Sequence, residues 1–209
     1  MHSSESTVIQ VLEEYNIQRP SIGELRRKYD IVEDYFENID TPNKAYILGL
    51  FYADGTVSKD GRQIAISLQE RDKSILDALN HEFAGDRKLV FIPYNDKNPN
   101  WQNQYCLSIS NKKFNADLRS HGVVPNKSLV LEFPKNIPDK LISHFVRGYF
   151  DGDGNLSKSE DRCTLISTNS FCIELSKIIK DKLDVNSSIL LCHGKQDKPT
   201  RTFQIAGRR

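Results

Sequence analysis

Two stretches of the chain are apolar on nearly every helical face. Residues 45–55 carry Tyr46, Ile47, Leu48, Leu50 and Phe51, and residues 144–154 carry Phe145, Val146, Tyr149 and Phe150. A helix without a polar stripe has no side to give to water, so each stretch predicts a helix buried all round. Behind the first, Gln63, Ala65, Ser67 and Gln69 alternate with Ile64, Ile66 and Leu68. That period of two predicts a strand with one polar and one apolar face. Residues 162–167 predict its counterpart behind the second helix. Helices are expected at 72–83 and 170–183, later strands at 88–94 with 188–192 and at 105–110 with 202–206. A further helix, 112–120, is closed by Gly122. Ahead of all this, 7–15 reads as a short helix bearing Val8, Val11, Leu12 and Tyr15. After Arg19-Pro20 a second helix starts at Ser21, where Ser21 and Glu24 fit a capping box ahead of Leu25 and Tyr29. This pair reads either as a small helix-turn-helix or as an adaptor packed on the main domain.

The two halves repeat at an offset of 99 residues, which superposes Gly49 on Gly148, Phe51 on Phe150, Asp54 on Asp153 and Gly55 on Gly154. The expected fold is α+β: two αββαββ repeats behind a small N-terminal helical segment. The divisions are 1–39, 40–140 for the first repeat and 141–209 for the second, in which the counterpart of 111–140 is missing.

Composition narrows the class. With 209 residues, 38% hydrophobic and 27% charged, the chain has the proportions of a soluble globular protein. No apolar run reaches the roughly 20 residues of a membrane span, and the start lacks a signal peptide's pattern. Cys106, Cys163, Cys172 and Cys192 have no CxxC spacing, which points to a reduced, intracellular setting. The net charge of +1 is a sum of unlike parts. Residues 1–44 hold 5 basic and 9 acidic groups, leaving 24 basic and 19 acidic in 45–209. Phosphate binding depends on where charge sits, so the body, at +5, stays open to a nucleic-acid partner.

Small residues recur four apart on each apolar helix, Gly49 with Ala53 and Gly148 with Gly152. Glycine inside a helix costs about 1 kcal/mol against alanine, so close packing of the two helices is expected. Gly55 and Gly154 are expected as left-handed terminators. Asp54 and Asp153 then sit in each last turn, facing the negative end of the helix dipole. Alone, each Asp-Gly reads as a turn. If the helices pair, two carboxylates converge and repel, and a divalent cation relieves that repulsion. The run from Asp151 to Asn155 begins like a calcium loop but has Leu156 and Arg162 where glycine and glutamate are required.

Residues 47–55 and 146–154 resemble the paired motifs of the LAGLIDADG homing endonucleases, with Tyr52 where the family name shows its first Asp. The flanks 34–46 and 122–128 are similar too, and the resemblance spans about 34–206. It implies a single-chain, monomeric saddle with internal pseudo-twofold symmetry that cuts double-stranded DNA at specific sites, from an intron, intein or phage setting. It implies Mg2+, with Mn2+ as a substitute, held by Asp54 and Asp153, and supporting catalytic roles for Lys127 and Gln69. It places Arg62, Gln63, Ser67, Gln69 and Arg71, with Arg162, Thr164 and Thr168, toward DNA. A strand face with Arg and Gln can read base edges, while a solvated strand face looks the same in sequence. The other reading is a catalytically impaired LAGLIDADG-fold DNA-binding regulator or an intron RNA maturase. The second repeat has Thr168 for Gln69, and its counterpart of Lys127 would fall beyond Arg209, an asymmetry that bears on double-strand cleavage.

Cys192-His193 near Cys163 and Cys172 matches no usual zinc spacing, so buried cysteines are expected. Trp101 is expected at a hairpin tip, packed or stacking on DNA.

Overall fold

The computed structural model describes residues 14–15, 29–96, 98–159, 161–191 and 200–206. The chain forms two compact units, Met1–Asp30 and Ile31–Arg209. The two helices expected between 7 and 29, with their capping box, lie outside the described residues apart from 14–15 and 29. Among the described residues no helix is long and apolar enough to cross a membrane.

The second unit contains α1 (Pro42–Ala53), β1 (Gly55–Val57), β2 (Gln63–Gln69), α2 (Lys73–Leu79), β3 (Val90–Ile92), β4 (Gln104–Ser110) and α3 (Lys112–Ser120). It continues with α4 (Ile142–Asp153), β5 (Gly154–Leu156), β6 (Arg162–Thr168), α5 (Asn169–Leu183), β7 (Ser188–Leu191) and β8 (Thr200–Ala206). The strands form two antiparallel four-stranded sheets of matching order, β1-β2-β4-β3 and β5-β6-β8-β7. This is the α+β architecture of the LAGLIDADG endonuclease-like fold. The second sheet is complete; what its repeat lacks, among the described residues, is a helix corresponding to α3.

Local chemistry accounts for the ends of α1. Thr41 caps it by accepting the Lys44 N–H at 3.2 Å, and Pro42 opens the first turn without an amide to satisfy. The whole run from Ile47 to Tyr52 is buried, as the apolar pattern predicts. The α4 helix differs. Only Phe145, Gly148 and Tyr149 are buried, while Ser143 and Arg147 face solvent and Val146 and Phe150 are half-covered. The reason is what surrounds each helix. Phe36 packs edge-on against Phe51 and Phe114 at 5.5 Å, and Tyr35, Ile39 and Leu118 complete the cover over the first repeat. Tyr35, Phe36 and Ile39 thus belong to this core, although their sequence position grouped them with the N-terminal segment. In the second repeat Phe133 packs edge-on against Phe145 at 5.4 Å and lies 5.2 Å from Phe171, but this cover does not extend to Leu156, which is 59% exposed where its counterpart Val57 is 5% exposed.

Gly55 and Gly154 are not left-handed. Gly154 is extended at φ −80° and ψ 156°, and neither glycine has a positive φ. They are needed for space: a Cβ on Gly55 would lie 2.6 Å from the Phe51 Cα, and one on Gly154 2.5 Å from the Phe150 ring. Gly122, at φ +100°, does end α3 in the expected left-handed way.

Candidate active site

The centre is the contact of α1 with α4. A Cβ on Gly49 would stand 2.6 Å from the Tyr149 amide nitrogen, and one on Gly148 2.9 Å from the Tyr46 carbonyl carbon. The backbones touch because neither residue has a side chain. Ala53 and Gly152 continue the same close approach one turn later. A Cβ on Gly152 would lie 2.8 Å from Asp54 Oδ2, so the Asp54 carboxylate rests on the backbone next to Asp153.

Asp54 caps α1, its amide bonding the Leu50 carbonyl at 2.9 Å, and Asp153 is the last residue of α4. Burial raises the Asp54 pKa, opposed by Lys127 and helped by Asp72. Asp153 is pushed up to about 6 by burial first and then by the Asp54 charge, with Lys127 and the Tyr149 hydroxyl pulling the other way. The two carboxylates therefore sense each other directly. Lys127 enters from the turn Lys127–Leu129 behind a left-handed Asn126, and its Nζ donates to the Gly55 carbonyl at 2.6 Å. Burial lowers the Lys127 pKa while Asp153 and Asp54 raise it, so its ammonium senses both carboxylates.

Gln69 lines a cavity of about 310 Å3 together with Asp54, Ser67, Asp72 and Gln104. The alternation in β2 is as expected: Ile64 and Ile66 are buried, and Gln63 is exposed. Arg62 and Arg162 are exposed, and Arg71 is also outward but lies 3.4 Å from the Asp72 carboxylate. Gln63 donates to Ser108 at 2.7 Å, and Thr164 faces Gln204 across β8. Thr168 does not join this face in any accessible form. It is 5% exposed, its Oγ1 donates to the Leu131 carbonyl, and it caps α5 by accepting the Phe171 N–H at 3.2 Å. A threonine that begins a helix is held inward by the amide it satisfies.

Sequence reasoning missed three neighbours of the centre. Tyr46 donates to Asp151 at 2.9 Å under the Arg147 guanidinium, 4.7 Å from the ring centroid, tying α1 to α4 beside the aspartates. Asp72 adds charge near Asp54, and Tyr149 donates to Ser167 at 3.0 Å. Asp151 was in view only as a failed calcium ligand; its signal was a carboxylate on a helix face two residues before Asp153. Among the described cysteines, Cys172 is buried and Cys106 and Cys163 are half-buried, all free, whereas Cys192-His193 lies outside the described residues. Trp101 does occupy the β3–β4 loop, 53% exposed and edge-on to Tyr94.

Residues 41–120 match the family model of the LAGLIDADG-like domain. Over 125 residues the chain is 26% identical to the DNA-directed RNA polymerase subunit Rpo1C of Methanocaldococcus jannaschii, covering 60% of this chain and 14% of that protein. The chain thus spans about one seventh of the curated relative it matches. Its fold is similar to the homing endonuclease I-WcaI, solved bound to its DNA recognition sequence, with TM-score 0.55 and 14% identity over 84% of this chain and 81% of that one. Full-length DUF199/WhiA from Thermatoga maritima is similar at TM-score 0.52 and 14% identity, over 87% of this chain and 58% of that one. At such identities the likeness is one of fold.

Among the described residues no three His, Cys, Asp or Glu side chains gather to hold a divalent metal. Two hard carboxylates whose repulsion Lys127 offsets only in part, with Asp153 still pushed up to about 6, do fit magnesium if phosphate and water oxygens complete the shell.

Proposed function

We propose that this chain is a site-specific endonuclease of double-stranded DNA that hydrolyses phosphodiester bonds with Mg2+, which Mn2+ can replace. The observation that carries the reading is the meeting of Asp54 and Asp153 at the α1–α4 contact, with the Lys127 ammonium held on the Gly55 carbonyl and sensed by both. A bound magnesium would supply Lewis acidity toward phosphate and water. The protein's own contribution is positioning. Asp54 and Asp153 are the metal ligands, fixed at two helix ends by the Gly49, Ala53, Gly148 and Gly152 contact. Lys127, its pKa lowered, holds a positive charge where charge develops on phosphate. Gln69 orients solvent from the cavity beside Asp54. Arg62, Gln63, Ser67, Arg71, Arg162 and Thr164 contact DNA from the open sheet faces and their ends. The repeats 40–140 and 141–209 act as pseudo-twofold halves of one monomer working inside the cell.

A second reading is a DNA-binding protein with impaired cleavage. It is favoured by Thr168, which is withdrawn into a helix cap where Gln69 faces a cavity. A randomised duplex library incubated with the protein, with and without magnesium, separates the two. The expected result is cleavage only with metal, abolished by Asp54→Asn or Asp153→Asn with binding retained. Undiminished cleavage by the double variant overturns the proposal.

A further inference from the structure

The open faces of the two sheets differ in one row of residues. In the second sheet Thr202 of β8 pairs with Ile166 of β6 on one side and with Leu190 of β7 on the other, so the three side chains share one face. Ile166 and Leu190 are each 45% exposed, while their neighbours Leu165 and Phe203 point into the core. Strands lie about 4.8 Å apart, so the row runs for about 10 Å, close to three base-pair steps. The corresponding row of the first sheet is Ser67, Cys106 and Val90; Val90 is 56% exposed like Leu190, and the difference lies at the central strand, where a hydroxyl stands in place of Ile166. With the Thr202 methyl between them, Ile166 and Leu190 give this row an apolar surface that a methyl group can meet. The same face carries Arg162, Thr164 and Gln204, hydrogen-bonding groups and a cation that suit nucleic acid.

We infer that the two sheets read DNA by different chemistry, and that Ile166, Thr202 and Leu190 recognise thymine methyl groups in the major groove of one half-site. This rests on the proposed DNA-facing role of the sheets. In the major groove only thymine presents a methyl, and apolar side chains distinguish it from cytosine without a hydrogen bond. The first sheet, with Gln63, Ser67, Gln69 and Gln104 on its open face, offers amides and hydroxyls to base edges instead. The target's two half-sites therefore differ where Ile166 stands in one sheet and Ser67 in the other, with thymine methyls mattering more in the half-site that Ile166 faces.

The test is a selection of bound duplexes from a randomised library in EDTA buffer, so that cleavage does not intervene. The selected duplex is then remade with deoxyuridine in place of thymidine, one position at a time, which removes only the methyl. Burial of one methyl is worth about 0.8 kcal/mol, so about a fourfold loss of affinity is expected per contacted position, at more positions in the half-site that Ile166 and Leu190 face than in the other. The Ile166→Ser/Leu190→Ser variant, altered only at exposed positions and checked for an unchanged melting profile, should bind the two duplexes equally. Full discrimination by that variant, or none by the wild type, overturns the inference while leaving DNA recognition intact. So does a change from dimer to monomer in the variant with discrimination kept, which marks the patch as a self-contact. Enrichment of no sequence at all refutes the DNA-facing reading, and the inference falls with it.

Discussion

Gly148→Ala tests the helix contact on which the site depends. An added methyl would stand 2.9 Å from the Tyr46 carbonyl carbon and 3.2 Å from its Cα, and nearer still to the carbonyl oxygen. All three are backbone atoms of α1, so no side chain can swing aside. Relief requires the helices to part by about 1 Å, and a gap of that size forfeits a quarter to a half of each dispersion contact it opens. The contacts at risk include Tyr52 on Phe145, with ring centroids at 4.9 Å, and Tyr52 on Tyr149 at 6.4 Å. Overpacking of this kind costs about 1–3 kcal/mol, sometimes more. Helix propensity alone favours alanine by about 1 kcal/mol, the opposite sign. We expect the steric effect to win by about 1 kcal/mol, a melting point lowered by about 2–4 °C in a chain of this size. Urea and thermal denaturation at matched pH give the measurement. A Gly148→Ala protein as stable as wild type, or more so, would refute the close-contact reasoning. Gly152→Ala is the informative partner, because its nearest polar neighbour is the Asp54 carboxylate at 2.8 Å. It should cost less stability and more cleavage.

Tyr52→Phe removes the donor that reaches the buried His121 carbonyl at 2.6 Å, and is expected to destabilise by about 1–3 kcal/mol in urea titrations. Thr168→Val keeps the shape and deletes the α5 cap, so a loss of about 1–2 kcal/mol with faster amide exchange in the first turn of α5 is expected. The raised pKa of Asp153 means that the folded protein holds a proton more tightly than the unfolded chain, whose carboxylate titrates near 3.9. Its stabilising share is therefore complete below about pH 4 and lost as pH rises through about 6. The Asp153 side chain reaches solvent although the helix contact partly desolvates its carboxylate, so solvent screening should keep this within about 1 kcal/mol. Urea midpoints at pH 4.5 and 7 in metal-free buffer, compared with Asp153→Asn, isolate it; equal pH slopes in both proteins would contradict the shift.

The order of elements, the doubled unit, the two-faced β2 strand and the Asp54–Asp153 pair were all legible in the sequence. Each is encoded locally, because hydrophobic period reports which face of an element meets the core. The apolar residues of α4 misled for the same reason. Period says that a side chain seeks cover, not whether cover arrives, and the cover over α1 comes from Phe36 and Phe114, far away in the chain. Glycine identity marked the positions of Gly55 and Gly154, but only packing against Phe51 and Phe150 decided that space, not a left-handed turn, was the cause. Thr168 read as an exposed strand residue until the helix after it claimed its hydroxyl. The Lys127 contact with Gly55 bridges 72 residues, and the row of Ile166, Thr202 and Leu190 is assembled from three strands. Such contacts follow from strand register and helix packing, which are set by the burial of the whole core at once. The sequence by itself therefore determined the elements and the acidic pair; the tertiary structure decided which charges meet, which hydroxyls are already used and which apolar groups remain in the open.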